Sequence, residues 1–147
     1  MPSGHSSVVE RLVANEKVEG SNPFARSMIC LNFFIMSDLS KKKCVACVGD
    51  IPPFDTSEIH KYLKKVDGWD VKSDNDKSFY LTKNFKFKNF QESLIFVNKV
   101  GNIAEEENHH PDITFGWGYC SVKIFTHAIK GLAESDFILA AKLDKID

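Results

Sequence analysis

The sequence predicts an α+β fold, a two-layer sandwich in the order α-β-β-α-β-β-α with helices on one face of a four-stranded antiparallel sheet. Apolar residues recur at helical spacing in Ile59-Tyr62-Leu63-Val66 and in Phe90-Leu94-Val97-Ala104. They alternate at period two in Phe79 to Phe87 and in Tyr119 to Thr126. Turn-forming residues, Asp74-Asn75-Asp76 and Gly116-Trp117-Gly118, divide the strands into two hairpins. A chain of 147 residues that is 43% hydrophobic and 27% charged suits one soluble domain with one core.

The first helix starts at Asp55, whose side chain can cap it, with Glu58 completing a capping box. Its apolar stripe runs to Val66 and Gly68 ends it, leaving His60 on the solvent side. Trp69 to Ser73 is a short strand. Phe79, Leu81, Phe85 and Phe87 form the buried face of the next strand, and Tyr80, Thr82, Asn84 and Lys86 form its polar face. Asn89 caps a second helix that runs to about Asn108, with Val100 and Ile103 beside its apolar stripe. Leu94, Ile95, Phe96 and Val97 cannot all face one sheet, so Ile95 or Phe96 is expected to point outward. The helix closes on Glu105-Glu106-Glu107, an acidic run that opposes the helix dipole, and Glu106 and Glu107 are expected to be solvated.

Asp112 to Phe115 and Tyr119 to Thr126 form the second hairpin, with Cys120, Val122 and Ile124 inward and His127 in phase with the polar face. The last helix is expected from about Glu134 to Ile146, packed through Phe137, Ile138, Ala141 and Ile146. Ala133, at its N-cap, forgoes roughly 1 kcal/mol of capping.

The N-terminal stretch has a different character. It shows no clean period, and Gly20-Ser21-Asn22-Pro23 can be encoded by GGT-TCG-AAT-CCC, the T-arm text of transfer RNA genes. Residues 1–35 are therefore read as a spurious or disordered extension, with the true start at Met36. Residues 36–54 are a leader carrying Cys44-Val45-Ala46-Cys47, which is half a zinc site with no second pair and sits in the wrong context for a thioredoxin-type motif. These thiols are expected to be idle.

A net charge of −1 gives no footprint for nucleic acid. No apolar run reaches the ~18 residues of a membrane span. Glu10, Glu16 and Glu19 make the start too acidic for a mitochondrial presequence, so the expected compartment is the cytoplasm.

The chemistry concentrates in three of the five histidines. Pro111 biases His110 toward an extended backbone. The hairpin that follows returns His127 to the neighbourhood of His109 and His110. Three imidazoles meeting at one end of a sheet can donate and accept protons near neutral pH. Glu105 lies one helical turn before His109, and Asp136 sits in the first turn of the last helix, where an acid also serves as a cap. Trp117 either packs the turn or stands at the mouth of the site.

The series Glu105-xxx-His109-His110-Pro111, Trp117, Thr126-His127, Gly131-Leu132 and Asp136 resembles the signature of the pterin-4a-carbinolamine dehydratases. The Cys-x-x-Cys and Pro-Pro leader is also seen in many of them, so the resemblance covers most of residues 44–146. It departs at Ala133, where members often carry Ser or Thr. The resemblance implies that 55–147 is a dehydratase domain converting 4a-hydroxytetrahydropterin to quinonoid dihydropterin in tetrahydrobiopterin-type recycling. It implies His109 and His127 as acids on opposite faces of the ring and His110 and Trp117 in pterin binding. Glu105 and Asp136 are implied as the carboxylates that orient histidines. It implies neither cofactor nor metal, a homodimer or homotetramer, and a place beside an aromatic amino acid hydroxylase.

Two other readings are available. A metal held by His109, His110, His127 and a carboxylate is disfavoured, because adjacent histidines point apart in an extended chain. A non-enzymatic dimerisation cofactor or transcriptional regulator on the same fold would not need the three histidines.

Overall fold

Helix and strand starts follow the local chemistry closely. In a computed structural model, which describes residues 38–45, 51–75 and 77–147, Asp55 accepts from the Glu58 N–H at 2.8 Å. Glu58 returns a bond to the Asp55 N–H, and helix α1 runs Thr56–Leu63. Strands β1 (Asp70–Ser73) and β2 (Phe79–Lys86) precede helix α2 (Phe90–Glu107). Strands β3 (Asp112–Gly116) and β4 (Tyr119–Ile124), a 3₁₀ turn over His127–Ile129 and helix α3 (Glu134–Leu143) complete the chain. The extension read over residues 1–35 lies outside the described residues, as do Asp76 and residues 46–50.

The sheet is antiparallel in the order β1-β2-β4-β3. Its register aligns Val71, Leu81 and Ile124, and likewise Phe85, Cys120 and Phe115, on the face that meets the helices. Leu81, Cys120, Val122 and Ile124 are fully buried there. This is the expected α+β sandwich.

Several details differ from the expectation, each for a packing reason. Helix α1 stops at Leu63 rather than Gly68. Its last turn tightens into bonds from Lys65 N–H to Tyr62 and Val66 N–H to Leu63, and Gly68, at φ +65°, only redirects the chain. Val66 still packs against the core, which is why the apolar period outlasts the helix. Lys83 occupies an inward register position in β2, where its Nζ reaches Asp144 at 2.7 Å. In α2 the buried residues are Ser93, Phe96, Val100 and Ala104, so Phe96 faces inward while Phe90, Leu94 and Ile95 are exposed. Helix α3 ends at Leu143, three residues short of Ile146, and is buried nearly all round.

The last point traces to the leader. A short 3₁₀ turn, Leu39–Lys41, packs on α3 and places Leu39, 2% exposed, in the core. The leader therefore covers a face of α3 that an amphipathic helix would give to water. Further along, Phe54 N–H donates to the Leu132 carbonyl at 2.8 Å. A Cβ at Gly131 would come within 2.7 Å of Pro53, so only glycine allows this approach.

Candidate active site

The site is built where α2 ends. Asn108 takes a left-handed backbone, φ +50°, which asparagine tolerates better than most residues. Its N–H bonds the Glu105 carbonyl and the His109 N–H bonds the Ala104 carbonyl at 3.0 Å, the two bonds of a Schellman motif. The turn sends His109-His110-Pro111 straight into β3. On the partner strand Asp112 pairs with Lys123, so the residues after β4, Phe125 to His127, arrive at the same end. A bridge between Thr126 and Gly131 then closes the loop that presents His127.

The histidines meet three different surroundings. His109, 14% exposed, sets Nε2 at 2.8 Å from Oδ1 of the fully buried Asp136. Oδ2 of Asp136 accepts from Thr126 Oγ1 at 2.9 Å and from the Ala133 N–H at 2.7 Å. An ionised Asp136 accepts at both oxygens, so His109 donates to it from Nε2, and Nδ1 is left outside that pair. His110 Nε2 meets Glu105 Oε1 at 2.9 Å in an exposed pair, worth at most about 1 kcal/mol. The ring of His127 packs against Phe125, centroids 4.1 Å apart, and no protein hydrogen bond engages its nitrogens among the described residues.

A cleft of about 570 Å³ brings these groups together, lined by His109, His110 and His127 with Pro111, Phe125 and Thr126. Glu105 is not in its lining and meets His110 rather than His109, because the Schellman turn rotates His109 toward α3. Trp117 stands apart: it is 73% exposed at the far tip of the hairpin, beyond a strand that runs about 13 Å from Asp112 to Gly116. His109 and His110 turn to carboxylates on different helices, a divergence that opposes one shared metal ion. Among the described residues no cluster of His, Cys, Asp or Glu is arranged to hold a metal.

Asp136 both caps α3 and anchors His109, which merges two readings that the sequence sets against each other. Its bond to the Ala133 N–H stands in for part of the cap that Ala133 lacks.

The scan of protein families finds that residues 52–146 match Pterin 4 alpha carbinolamine dehydratase. The chain belongs to this family. Its members are hydro-lyases, and the chain is an enzyme of that class. It is 48% identical over 111 residues to a provisionally named pterin-4-alpha-carbinolamine dehydratase of Rubrobacter xylanophilus, covering 76% of this chain and all of that one. A relative from Rickettsia bellii, with the same provisional name, is 48% identical over 75% of this chain and 95% of its own. Among solved structures, the transcriptional coactivator/pterin dehydratase of Brucella melitensis aligns with a TM-score of 0.55 and 28% identity, over 62% of this chain and 94% of that one.

For this dehydratase-family chain, the wall of the cleft that sequence reasoning missed is the leader. Lys43, Cys44 and Val45 line the cleft, and Glu107 lines it with them. Glu107 is not solvated. Its side chain is 8% exposed, paired with Lys142 and bonded by the Cys44 N–H at 2.8 Å. The Cys44 thiol contacts the Ser135 carbonyl, and burial, with Glu107 beside it, pushes its pKa up to about 12. It is no thiolate near neutral pH. Cys47 lies outside the described residues. The clue available in the sequence was the misplaced acidic run at the end of α2, which signals partners elsewhere in the fold.

Proposed function

We propose that this chain dehydrates a 4a-hydroxytetrahydropterin, releasing water and the quinonoid dihydropterin. The observation that carries this reading is the convergence of His109, His110 and His127 on one cleft, within a chain of the dehydratase family. In the reaction the C4a–O bond breaks as the leaving oxygen takes a proton from an acid. The N5 lone pair forms the C4a=N5 double bond, and the N5 proton passes to a base. Oxidation states balance with water as the only co-product, so imidazoles suffice.

His109 and His127 serve as proton donors on opposite faces of the ring, and His110 holds the pterin. Asp136 keeps the His109 tautomer fixed, and Glu105 steadies His110. Trp117 is assigned no contact with substrate within one chain. The 4a-hydroxyl arises when a pterin-dependent monooxygenase spends its cofactor, so an aromatic amino acid hydroxylase is the expected supplier. The compartment proposed is the reducing cytoplasm. No helix among the described residues is long and apolar enough to cross a membrane.

The name of the Brucella melitensis protein pairs a coactivator with a dehydratase. For this chain the three cleft histidines favour catalysis, since a surface for protein contact would not need them. The test is dehydration of synthetic 4a-hydroxytetrahydropterin followed by ultraviolet absorbance. The expected result is a rate well above the spontaneous one. A rate equal to it refutes the reading.

A further inference from the structure

Two of the three carboxylates that close α2 have partners that account for their place. Glu105 reaches His110, and Glu107 turns toward the leader. Glu107 Oε2 accepts from the Cys44 N–H at 2.8 Å, and Oε1 pairs with Lys142 of α3. Burial alone would push the Glu107 carboxyl up, yet the bonds from Cys44 and Lys142 hold it below the usual carboxylate range. The same stretch of leader is fastened on both sides. Lys42 pairs with Glu134 at 2.7 Å, and Ser135 Oγ donates to the Val45 carbonyl at 3.0 Å.

The strap held in this way separates two cavities. Lys43 and Val45 line the histidine cleft, and they also line an apolar hollow of about 500 Å³ with Phe54, Tyr62 and Ile138. Movement of the strap would widen one cavity at the expense of the other. A flat bicyclic substrate is held by dispersion against the walls, and a gap of even half an ångström forfeits about a quarter of that attraction.

We propose that Glu107 is a positioning residue for substrate binding: by clamping the leader at Cys44, it sets the width of the histidine cleft. This rests on reading that cleft as the pterin site. Glu107 spends both carboxylate oxygens on Cys44 and Lys142, so it should govern KM and leave kcat alone.

The experiment uses the full chain and compares Glu107→Ala, Glu107→Gln and Ser135→Ala with the parent. Steady-state dehydration gives KM and kcat, and mass spectrometry follows tryptic cleavage after Lys42 and Lys43. Glu107→Ala should raise KM roughly tenfold, the effect expected for one lost hydrogen bond to a charged group, and speed cleavage similarly. Glu107→Gln, which keeps an acceptor for the Cys44 N–H, should recover most of the KM. Ser135→Ala removes the Oγ bond to the Val45 carbonyl, should shift both readouts in the same direction, and serves where Glu107→Ala does not fold. Unchanged KM overturns the proposal, whether or not cleavage speeds up. So does a fall in kcat at constant KM, the mark of a merely structural loss of active protein. If the parent shows no dehydration, the functional reading fails, and unchanged cleavage then overturns the clamp as well.

Discussion

Asp136 and His109 meet at 2.8 Å across 27 residues of sequence, the carboxylate at 0% exposure and the imidazole opening onto the cleft. Both oxygens of Asp136 face donors: Oδ1 meets His109, and Oδ2 meets Thr126 and the Ala133 N–H. Asp136→Asn must turn an NH₂ either toward His109 or toward Thr126 and Ala133. The expected outcome is a loss of about 1–3 kcal/mol in stability together with a fall in kcat. Thermal unfolding and steady-state kinetics on one preparation separate the parts. A lowered midpoint with kcat intact would reduce Asp136 to a helix cap.

His109 and His127, the proposed acids, differ in surroundings, and the two 4a-hydroxyl stereoisomers should sense that difference. His109→Ala and His127→Ala are each expected to lower kcat by roughly 10²–10⁴-fold for one isomer and much less for the other. Rates measured with the separated isomers check this. Small, equal losses on both would remove the opposite-face assignment.

Leu39 is the first core residue among the described residues. A chain shortened to start at Met36 should keep the thermal midpoint and kcat/KM of the full chain. One shortened to start at Lys43 loses Leu39 from the core and should be destabilised by about 2–5 kcal/mol. A drop of several degrees on removing residues 1–35 alone would mean that they pack on the domain.

Phe90, Leu94 and Ile95 leave an apolar strip on the outer side of α2, 39% to 49% exposed. A strip of that kind marks an interface, and the proposed assembly is a homodimer or homotetramer. Light scattering at micromolar concentration should give two or four times the monomer mass, and Ile95→Lys should lower it. A monomer with full activity would contradict the proposal.

The sequence alone determined the local signals of this protein. Asp55 with Glu58, Asn89 and the alternation in β2 and β4 each act over a few residues, so the α-β-β-α-β-β-α order was legible from them. The meeting of His127 with His109 and His110 was legible too, because an antiparallel hairpin returns its end to its beginning. Tertiary packing decided the rest. Glu105 turned to His110 because the Schellman turn fixed the exit of α2, and Asp136 joined the helix cap to His109 because α3 docks beside that exit. Phe96 went inward and Leu94 outward because helical spacing states how wide an apolar face is but not which part meets the sheet. The leader became a wall of the cleft through bonds from Glu107, Glu134 and Ser135 that span 63 to 92 residues. Such long-range partners leave no period or spacing in a sequence, since only the folded chain brings them within hydrogen-bonding distance.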